Sequence, residues 1–397
     1  MARKPMVVSL FVFAKGSKHA FCTACGYVDN KRVGVEVTRT PIVKVKPLEM
    51  ELLAMQSLAD CASFDKTIHP NLPQLYELPH QILQSLNSLT ALKEIYQNSD
   101  PFVTALAFSL LLAPTFLIVS EFNKNYSQVD RLWSILPSIY NIHYVVYARI
   151  SGLETERLNH LLAFSIAWSL RLTFNYYRKG GYNRGSEDYR WAIIQKRLGP
   201  SLFFLLNIFF ISLAQSLLLL LLTTPAYIML VSSQFMGKMS LTDYMFTHAL
   251  VGLVIIEFVA DQQQWDFQEA KKLYLNSAQK PDQYKPENLE RGFVVTGLWS
   301  WSRHPNFAAE QAIWIIVYLW GCWTTRTLYN WTLVGAASYI ALFQASTRLT
   351  ELLSAQKYPE YALYRKDVGK FLPRLNQIVT KINGSRPPNT GKESKIK

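Results

Sequence analysis

Cysteine is scarce in this sequence, since its 397 residues include only four, and these are scattered. So small a set excludes a disulfide framework as the main source of stability. Cys22 and Cys25 have the spacing of a redox or metal-binding pair, but no second pair and no nearby paired histidines accompany them. We therefore expect no bound metal.

Charge is missing from several long stretches, although the whole chain has a formal net charge of +13. Half of the residues (50%) are hydrophobic and only 17% are charged. This composition argues against a set of soluble domains and predicts an all-α fold, a polytopic bundle of transmembrane helices. Many transporters contain an internal repeat, and this sequence has none, which argues against a transporter.

Seven apolar runs are long enough, or nearly so, to cross a bilayer, and we therefore predict about seven spans. One run has no charged residue over 40 positions, far more than a single ~30 Å crossing needs at ~1.5 Å per residue. A Thr-Thr-Pro sequence offers a break there, so we expect one helix plus an interfacial segment, with a double crossing as the alternative. The runs are residues 102–120, 132–148, 158–177, 198–237, 244–260, 308–325 and 328–347.

The chain outside these runs divides into an N-terminal extension and a tail. Residues 1–100 have no spanning segment; they include a possible targeting segment, Met1 to Ala14, and two expected amphipathic helices at 48–58 and 81–96. Residues 101–375 form the predicted membrane domain. Residues 376–397 are polar and basic and are expected to be disordered.

The Lys and Arg residues are concentrated in loops 176–200 and 261–304 and in the tail. This is the pattern of positive-inside topology, which places these segments in the cytosol and predicts contact with lipid headgroups. We do not expect nucleic acid as a partner.

The most informative stretch joins a polar loop to the sixth apolar run. Pro305 should begin a helix, with His304 extended before it. Asn306 and Glu310 would share a face of that helix, while Arg303 lies near its N-terminus, where anions are favoured. An arginine, a histidine, an amide and a carboxylate at this point suit a phosphate-bearing cofactor. The alternative is a simple interfacial anchor.

Three further charged positions interrupt or border apolar runs. Arg171 lies inside the third run, where an arginine is costly unless it faces a cavity or snorkels from the helix end. Glu257 and Asp261 are four residues apart and should share a helix face, where a cation or a proton would relieve their repulsion.

Several motifs resemble one family. The sequences Gly297-Leu-Trp, Ser302-Arg-His-Pro-Asn-Phe and Glu310 are similar to the signature of the steroid 5α-reductase-like superfamily of membrane enzymes, except that Phe307 replaces the usual tyrosine. The resemblance covers about residues 100–375, in the branch often described only as a domain of unknown function. It extends to elements around Asp130, Arg171, Asp188, Arg190, Asp261, Gln263, Lys357, Tyr361 and Tyr364.

This resemblance implies an NADPH-dependent reductase of an activated C=C bond in a lipophilic steroid, polyprenol or enoyl lipid, located in the endoplasmic reticulum membrane. Asp130 and Tyr140 become candidate proton donors. The implied cofactor-binding residues are Arg171, Asp188, Arg190, Asp261, Gln263, Arg303, His304, Asn306, Glu310, Lys357, Tyr361 and Tyr364. Two other functions are kept open: an S-adenosylmethionine-dependent methyltransferase resembling the isoprenylcysteine carboxyl methyltransferases, and a non-enzymatic lipid-binding protein.

Overall fold

The computed structural model describes residues 55–374, and every named element in that range is helical. The Cys22 and Cys25 pair, the possible targeting segment, most of the expected helix 48–58 and the tail 376–397 lie outside the described residues.

Short 3₁₀ turns accompany the α-helices at Asp60–Ala62, His69–Asn71 and Gly297–Ser300, and a π-helical segment spans Asn207–Ala214. The α-helices are α1 Phe64–Thr67, α2 Gln74–Ser85, α3 Leu89–Asn98, α4 Pro101–Asn123, α5 Gln128–Leu132, α6 Leu136–Ile150, α7 Glu156–Arg178, α8 Tyr189–Leu206, α9 Gln215–Leu221, α10 Thr224–Ser232, α11 Leu241–Ser277, α12 Pro286–Arg291, α13 Pro305–Thr325, α14 Leu333–Lys357 and α15 Tyr361–Asp367.

Local capping explains where the main helices begin. The Asp100 carboxylate accepts hydrogen bonds from the first free N–H groups of α4, and Ser240 forms a reciprocal capping box with Asp243 at the start of α11. α13 begins at Pro305, as predicted, and His304 before it has a non-helical φ of −140°.

Each of the seven apolar runs coincides with a helical segment, but α11 is much longer than expected. Its helix continues 16 residues past Asp261, to Ser277. The first part of the predicted loop 261–304 is therefore helical, because Phe267 and Ala270 pack against Leu289 in a second small core. This packing stabilises polar helical turns beyond the apolar run.

The long uncharged run is broken twice. Gly199 has a φ of 76°, in the left-handed region that favours glycine, and it kinks α8 just before Pro200. A second break, at residues 222–223, separates α9 from α10. Every residue of α10 is buried, and α10 packs against α13, α6 and α7. α10 is therefore part of the interior of the helical bundle.

Within residues 55–374, three helical stretches are long and apolar enough to cross a membrane, judged by length and composition. They are α4, the stretch 189–232 and α11. The described part of the chain is therefore all-helical, and its apolar helices are those of a membrane protein.

The end of the N-terminal extension lies against this bundle. The Phe64 ring packs edge-on against Trp331, and the Tyr227 hydroxyl donates to the Thr67 carbonyl over 3.2 Å. The expected helix at 81–96 is instead two helices, α2 and α3, because the Ser88 side chain caps α3 and starts a new helix.

Candidate functional site

One buried guanidinium connects three helices. Arg171 on α7 donates from Nη1 to Asp261 Oδ2 at 2.7 Å, and its Nη2 lies 2.9 Å from Glu257 Oε2 and 3.0 Å from Glu310 Oε2. The two acidic residues of α11 therefore share a face, as predicted. Asn306 completes the group by donating to Asp261 Oδ1 over 3.0 Å, and Asn175 also donates to Asp261. We call Arg171, Glu257, Asp261 and Glu310 the Arg171 cluster.

The Glu310 carboxylate is held by neutral donors as well as by Arg171. The indole N–H groups of Trp168 and Trp314 each donate over 3.0 Å, and the Tyr339 hydroxyl donates over 2.8 Å. Donors from α7, α13 and α14 thus converge on one side chain. A carboxylate with this many donors is well stabilised in its ionised form.

Glu257 has the opposite surroundings. It is completely buried, and among the described residues its only ionic contact is Arg171; the Glu310 carboxyl group lies within hydrogen-bond reach of it. The Arg171 cluster contains three carboxyl groups and one guanidinium, so full ionisation would leave two uncompensated buried charges. Because such burial is costly, at least one carboxyl group should hold a proton, and Glu257 is the best candidate.

A second buried cluster includes Arg303 and His304, which precede Asn306 by three and two residues. Arg303 Nε donates to Glu351 Oε1 at 2.7 Å, and His304 Nε2 is 3.1 Å from the same oxygen. Burial alone would raise the pKa of Glu351, but hydrogen bonds from His304 and Arg303 outweigh it and lower this pKa to about 2. We call Arg303, His304 and Glu351 the Glu351 cluster.

The C-terminal segment closes around this second cluster. The backbone N–H groups of Arg303 and His304 donate to the carbonyls of Gly369 and Lys370 over 2.9 and 3.2 Å. Arg303 Nη1 donates to the Val368 carbonyl. All three nitrogens of the Arg303 guanidinium have protein acceptors in this structure. A phosphate would therefore have to share Arg303 with these acceptors or displace them.

Cationic side chains surround the Glu351 cluster. Arg365 lies 3.7 Å from Glu351, and Lys370 donates to Gln344. Partial burial lowers the pKa of Lys370, Glu351 opposes this shift, and the nearby Arg348 and Arg303 add to it. Several positive charges thus face one carboxylate, which leaves this end of the site electropositive.

Glu351→Gln should reduce stability at neutral pH by about 2–4 kcal/mol, because the pKa of Glu351 lies well below its ordinary 4.5. A depressed carboxyl pKa stabilises the fold above the unfolded value, and this contribution disappears as pH falls from 4.5 towards 2. Thermal unfolding in detergent should therefore show wild type and variant converging in acid. Glu360→Gln is the control, since Glu360 forms an exposed pair with Arg291. A difference in stability between wild type and Glu351→Gln that stays constant at all pH values would contradict this predicted pH dependence.

The loop before α13 is held by other predicted residues. Gln263 accepts from the Leu298 N–H over 2.9 Å and packs against Gly297, where a Cβ would come within 2.5 Å of the Gln263 side chain. Tyr361 and Tyr364 pack together on one face of α15, as predicted. The Tyr364 hydroxyl donates to the Trp299 carbonyl. In this structure, these side chains position the loop.

The remaining predicted residues lie apart from both clusters. Asp188 and Arg190 form an ion pair of 2.7 Å, and Arg190 also donates to Ser346 on α14. Asp130 accepts from the Trp191 indole, and burial raises its pKa although that hydrogen bond opposes the shift. Lys357 is exposed and lies over the Tyr358 ring.

Tyr140 faces α4 and not the Arg171 cluster. Its ring packs edge-on against Phe108, and its buried hydroxyl lies beside the Ser109 hydroxyl of α4. The structure thus brings together Arg171, Asp261, Asn306 and Glu310, and separately Arg303 and His304. It does not bring the two predicted proton donors, Asp130 and Tyr140, to either cluster.

The candidate site residues predicted from the sequence did not include Glu351, Trp168, Tyr339 or Asn175. Asn175 follows Arg171 by four residues, so helical spacing could have indicated it. Glu351 and Tyr339 are contributed by α14, and no local pattern connects them with α13. The described residues include no group of three or more His, Cys, Asp or Glu side chains arranged to hold a metal ion.

The fold and these clusters describe an all-helical protein with membrane-type helices and a buried, charged polar site. Residues 116–368 match the family described as Protein of unknown function (DUF1295), and the chain belongs to that family. It is 40% identical over 322 residues to an uncharacterized protein of Schizosaccharomyces pombe, covering 81% of this chain and 92% of that protein. No solved structure matches the chain.

Proposed function

We propose that this protein is a membrane NADPH-dependent reductase of an activated C=C bond in a lipophilic substrate. The proposal includes membership of the steroid 5α-reductase-like superfamily, about seven spans and a location in the endoplasmic reticulum. The observation that supports it best is the convergence of separate motifs. Arg171, Asp261, Asn306 and Glu310 meet in one buried cluster, which adjoins Arg303 and His304 in the chain.

The charge distribution fits the two ends of NADPH. The electropositive surroundings of the Glu351 cluster, with Arg348, Arg365 and Lys370, suit the phosphate groups. The Arg171 cluster, with three carboxyl groups, would repel phosphate and suits the uncharged nicotinamide and ribose end. Asp261 and Asn306 offer acceptors and donors for that end.

NADPH would supply the hydride that adds to the β-carbon of the activated double bond. The chain must then provide a proton for the α-carbon or stabilise the oxygen of the activating group. Tyr140 and Asp130 stay the donors predicted from the sequence, and both lie outside the two clusters, Tyr140 beside Phe108 and Asp130 beside Trp191.

The alternative is an S-adenosylmethionine-dependent methyltransferase. One observation favours it: the excess of carboxyl groups over guanidinium in the Arg171 cluster would also attract a sulfonium cation. The cationic residues around Glu351 would then have no role in binding the sulfonium group. We therefore prefer the reductase.

Hydride transfer can be tested without knowing the substrate. Membranes containing the protein would be incubated with NADPH tritiated at C4 and a total lipid extract, and tritium would be counted in the organic phase. We expect label to enter one lipid fraction with wild type. Asp261→Asn is the inactive comparison, since Asp261 binds three neighbouring side chains. Tritium transfer equal to that of membranes lacking the protein would contradict the proposal. If the lipid extract gains no tritium from NADPH but gains labelled methyl groups from S-adenosylmethionine, the methyltransferase alternative would be supported.

A further inference from the structure

The first part of α8 is a separate short helix, residues 189–198, which we call the basic segment. Gly199 after it has a φ of 76° and a ψ of 169°, far from helical values, and Pro200 follows. The chain therefore bends at this point, and residues 200–206 continue as a second helix. The basic segment thus need not lie parallel to the apolar helix that comes after it.

The first turn of the basic segment is fixed to the rest of the protein. The buried Trp191 indole donates to Asp130 over 3.0 Å, and the Arg190 guanidinium donates to Ser346 on α14 over 2.7 Å. Arg190 also pairs with Asp188, so its charge is already compensated. These contacts hold one side of the segment against its neighbours and leave the opposite side facing outward.

The outward side carries apolar and basic residues together. Tyr189 is 58% exposed and Ile193 39%, and Lys196 and Arg197 are exposed as well. Tyr189, Ile193 and Arg197 are spaced four residues apart, so they lie along one face of the helix. Among the described residues, the side chains of Lys196 and Arg197 have no hydrogen-bond or ion-pair partner. This face therefore presents two uncompensated positive charges beside apolar side chains.

The surface after the bend is suited to hydrocarbon. Leu202 is 58% exposed and Phe209 64%, and the stretch 189–232 has the length and composition to cross a membrane. The sequence has no acidic residue from position 189 to position 242. The basic segment therefore lies where the lipid-facing surface begins, at the boundary between hydrocarbon and headgroups, and no acid of its own helix opposes its charge.

Two features of this face select an anionic lipid as its occupant. Basic side chains at the membrane boundary attract acidic headgroups, and the expected cytosolic position of loop 176–200 places them at the leaflet that carries such lipids. A soluble anion would satisfy the two charges but would leave Tyr189 and Ile193 in water. A lipid supplies both an acidic headgroup and acyl chains, which this mixed face requires.

From these observations we infer that the basic segment lies in the membrane interface and binds an anionic phospholipid. Lys196 and Arg197 contact its headgroup, while Ile193 and the exposed Leu198 contact its acyl chains. This surface goes beyond the proposed function and does not depend on it. It requires only that the apolar helix after the bend lies in a membrane.

Photolabelling in lipid nanodiscs tests this inference. The purified full chain would be placed in phosphatidylcholine nanodiscs containing a trace of phosphatidylserine or phosphatidylcholine, each with the same diazirine-bearing acyl chain, and labelled peptides would be mapped. We expect the phosphatidylserine probe to label residues 189–205 about fivefold more, the effect of one basic residue near an anionic surface. An excess of soluble glycerophosphoserine should not compete, because it has no acyl chains.

Two double variants with the same loss of charge distinguish the basic segment from general attraction. Lys196→Gln with Arg197→Gln should bring labelling by the two probes to about the same level. Lys272→Gln with Lys280→Gln changes exposed positions near the end of α11 and just after it, and should leave the fivefold preference unchanged.

Four results would overturn the inference. They are equal labelling by both probes in wild type, a preference that survives in Lys196→Gln with Arg197→Gln, competition by glycerophosphoserine, and cross-linking of two copies through this segment. Loss of the preference in the Lys272→Gln and Lys280→Gln control would also contradict it, since the attraction would then be general. Neither cofactor nor substrate is present, so failure here is independent of failure in the tritium experiment.

Discussion

Arg171→Met is expected to destabilise the fold by about 3–5 kcal/mol, the largest effect of any single substitution that we predict. Among the described residues, Arg171 provides the only guanidinium that contacts the carboxyl groups of Glu257, Asp261 and Glu310. Its removal leaves the buried carboxylates of Asp261 and Glu310 without the guanidinium that contacts both, while methionine restores most of the apolar volume. Thermal unfolding in detergent should detect the loss, and NADPH should no longer protect the protein.

A double variant and a control test whether buried charge causes the loss of stability in Arg171→Met. Adding Asp261→Asn to Arg171→Met should recover part of the lost stability, because an ionised buried acid in contact with Arg171 is then replaced by a neutral amide. Arg149→Met is the control, since Arg149 is exposed and contacts only Asn159 among the described side chains; it should change stability by less than about 0.5 kcal/mol. If Arg171→Met unfolds at the same temperature as Arg149→Met, the cluster does not stabilise the fold as we describe.

Glu310→Gln and Glu257→Gln should differ sharply, although both replace a buried glutamate of the same cluster. The Glu310 carboxylate accepts from Trp168, Trp314 and Tyr339 as well as from Arg171. A glutamine amide would direct N–H groups at these donors, so we expect a loss of about 2–4 kcal/mol. Glu257→Gln imitates a protonated carboxyl group and should change stability by less than about 1 kcal/mol.

Thermal unfolding of the two variants side by side measures this difference, and each serves as the volume-matched control for the other. A comparable loss in both would mean that Glu257 is ionised and that the charge of the cluster is balanced in another way. A greater loss for Glu257→Gln would reverse our assignment of the proton.

The sequence was informative where the structure depends on local signals. Pro305 begins α13 because a proline suits the first turn of a helix, and this could be predicted without any neighbour. Glu257 and Asp261 share a face because helical spacing requires it, and both contact Arg171. Arg171 itself was identified because an arginine inside an apolar run needs a partner.

Long-range packing decided the parts that the sequence did not predict. Glu351 is 48 residues from Arg303, and only the packing of α14 beside α13 brings them within 2.7 Å. Arg303 was predicted to bind phosphate, yet its donors are occupied by Glu351 and by carbonyls of the C-terminal segment, which no local pattern indicates. The same holds for α10, whose apolar sequence is equally compatible with an interfacial or a buried helix.

The most direct test of the account is cofactor binding to the purified full chain, measured by thermal shift with NADPH and with S-adenosylmethionine. Binding at 100 times the dissociation constant should stabilise the protein by about 2.7 kcal/mol. We predict that NADPH stabilises wild type, that combining Arg348→Gln with Lys370→Gln weakens NADPH binding about tenfold, and that Lys238→Gln, between α10 and α11, has no effect. Stabilisation by S-adenosylmethionine alone, or by neither cofactor, would contradict the proposed reductase.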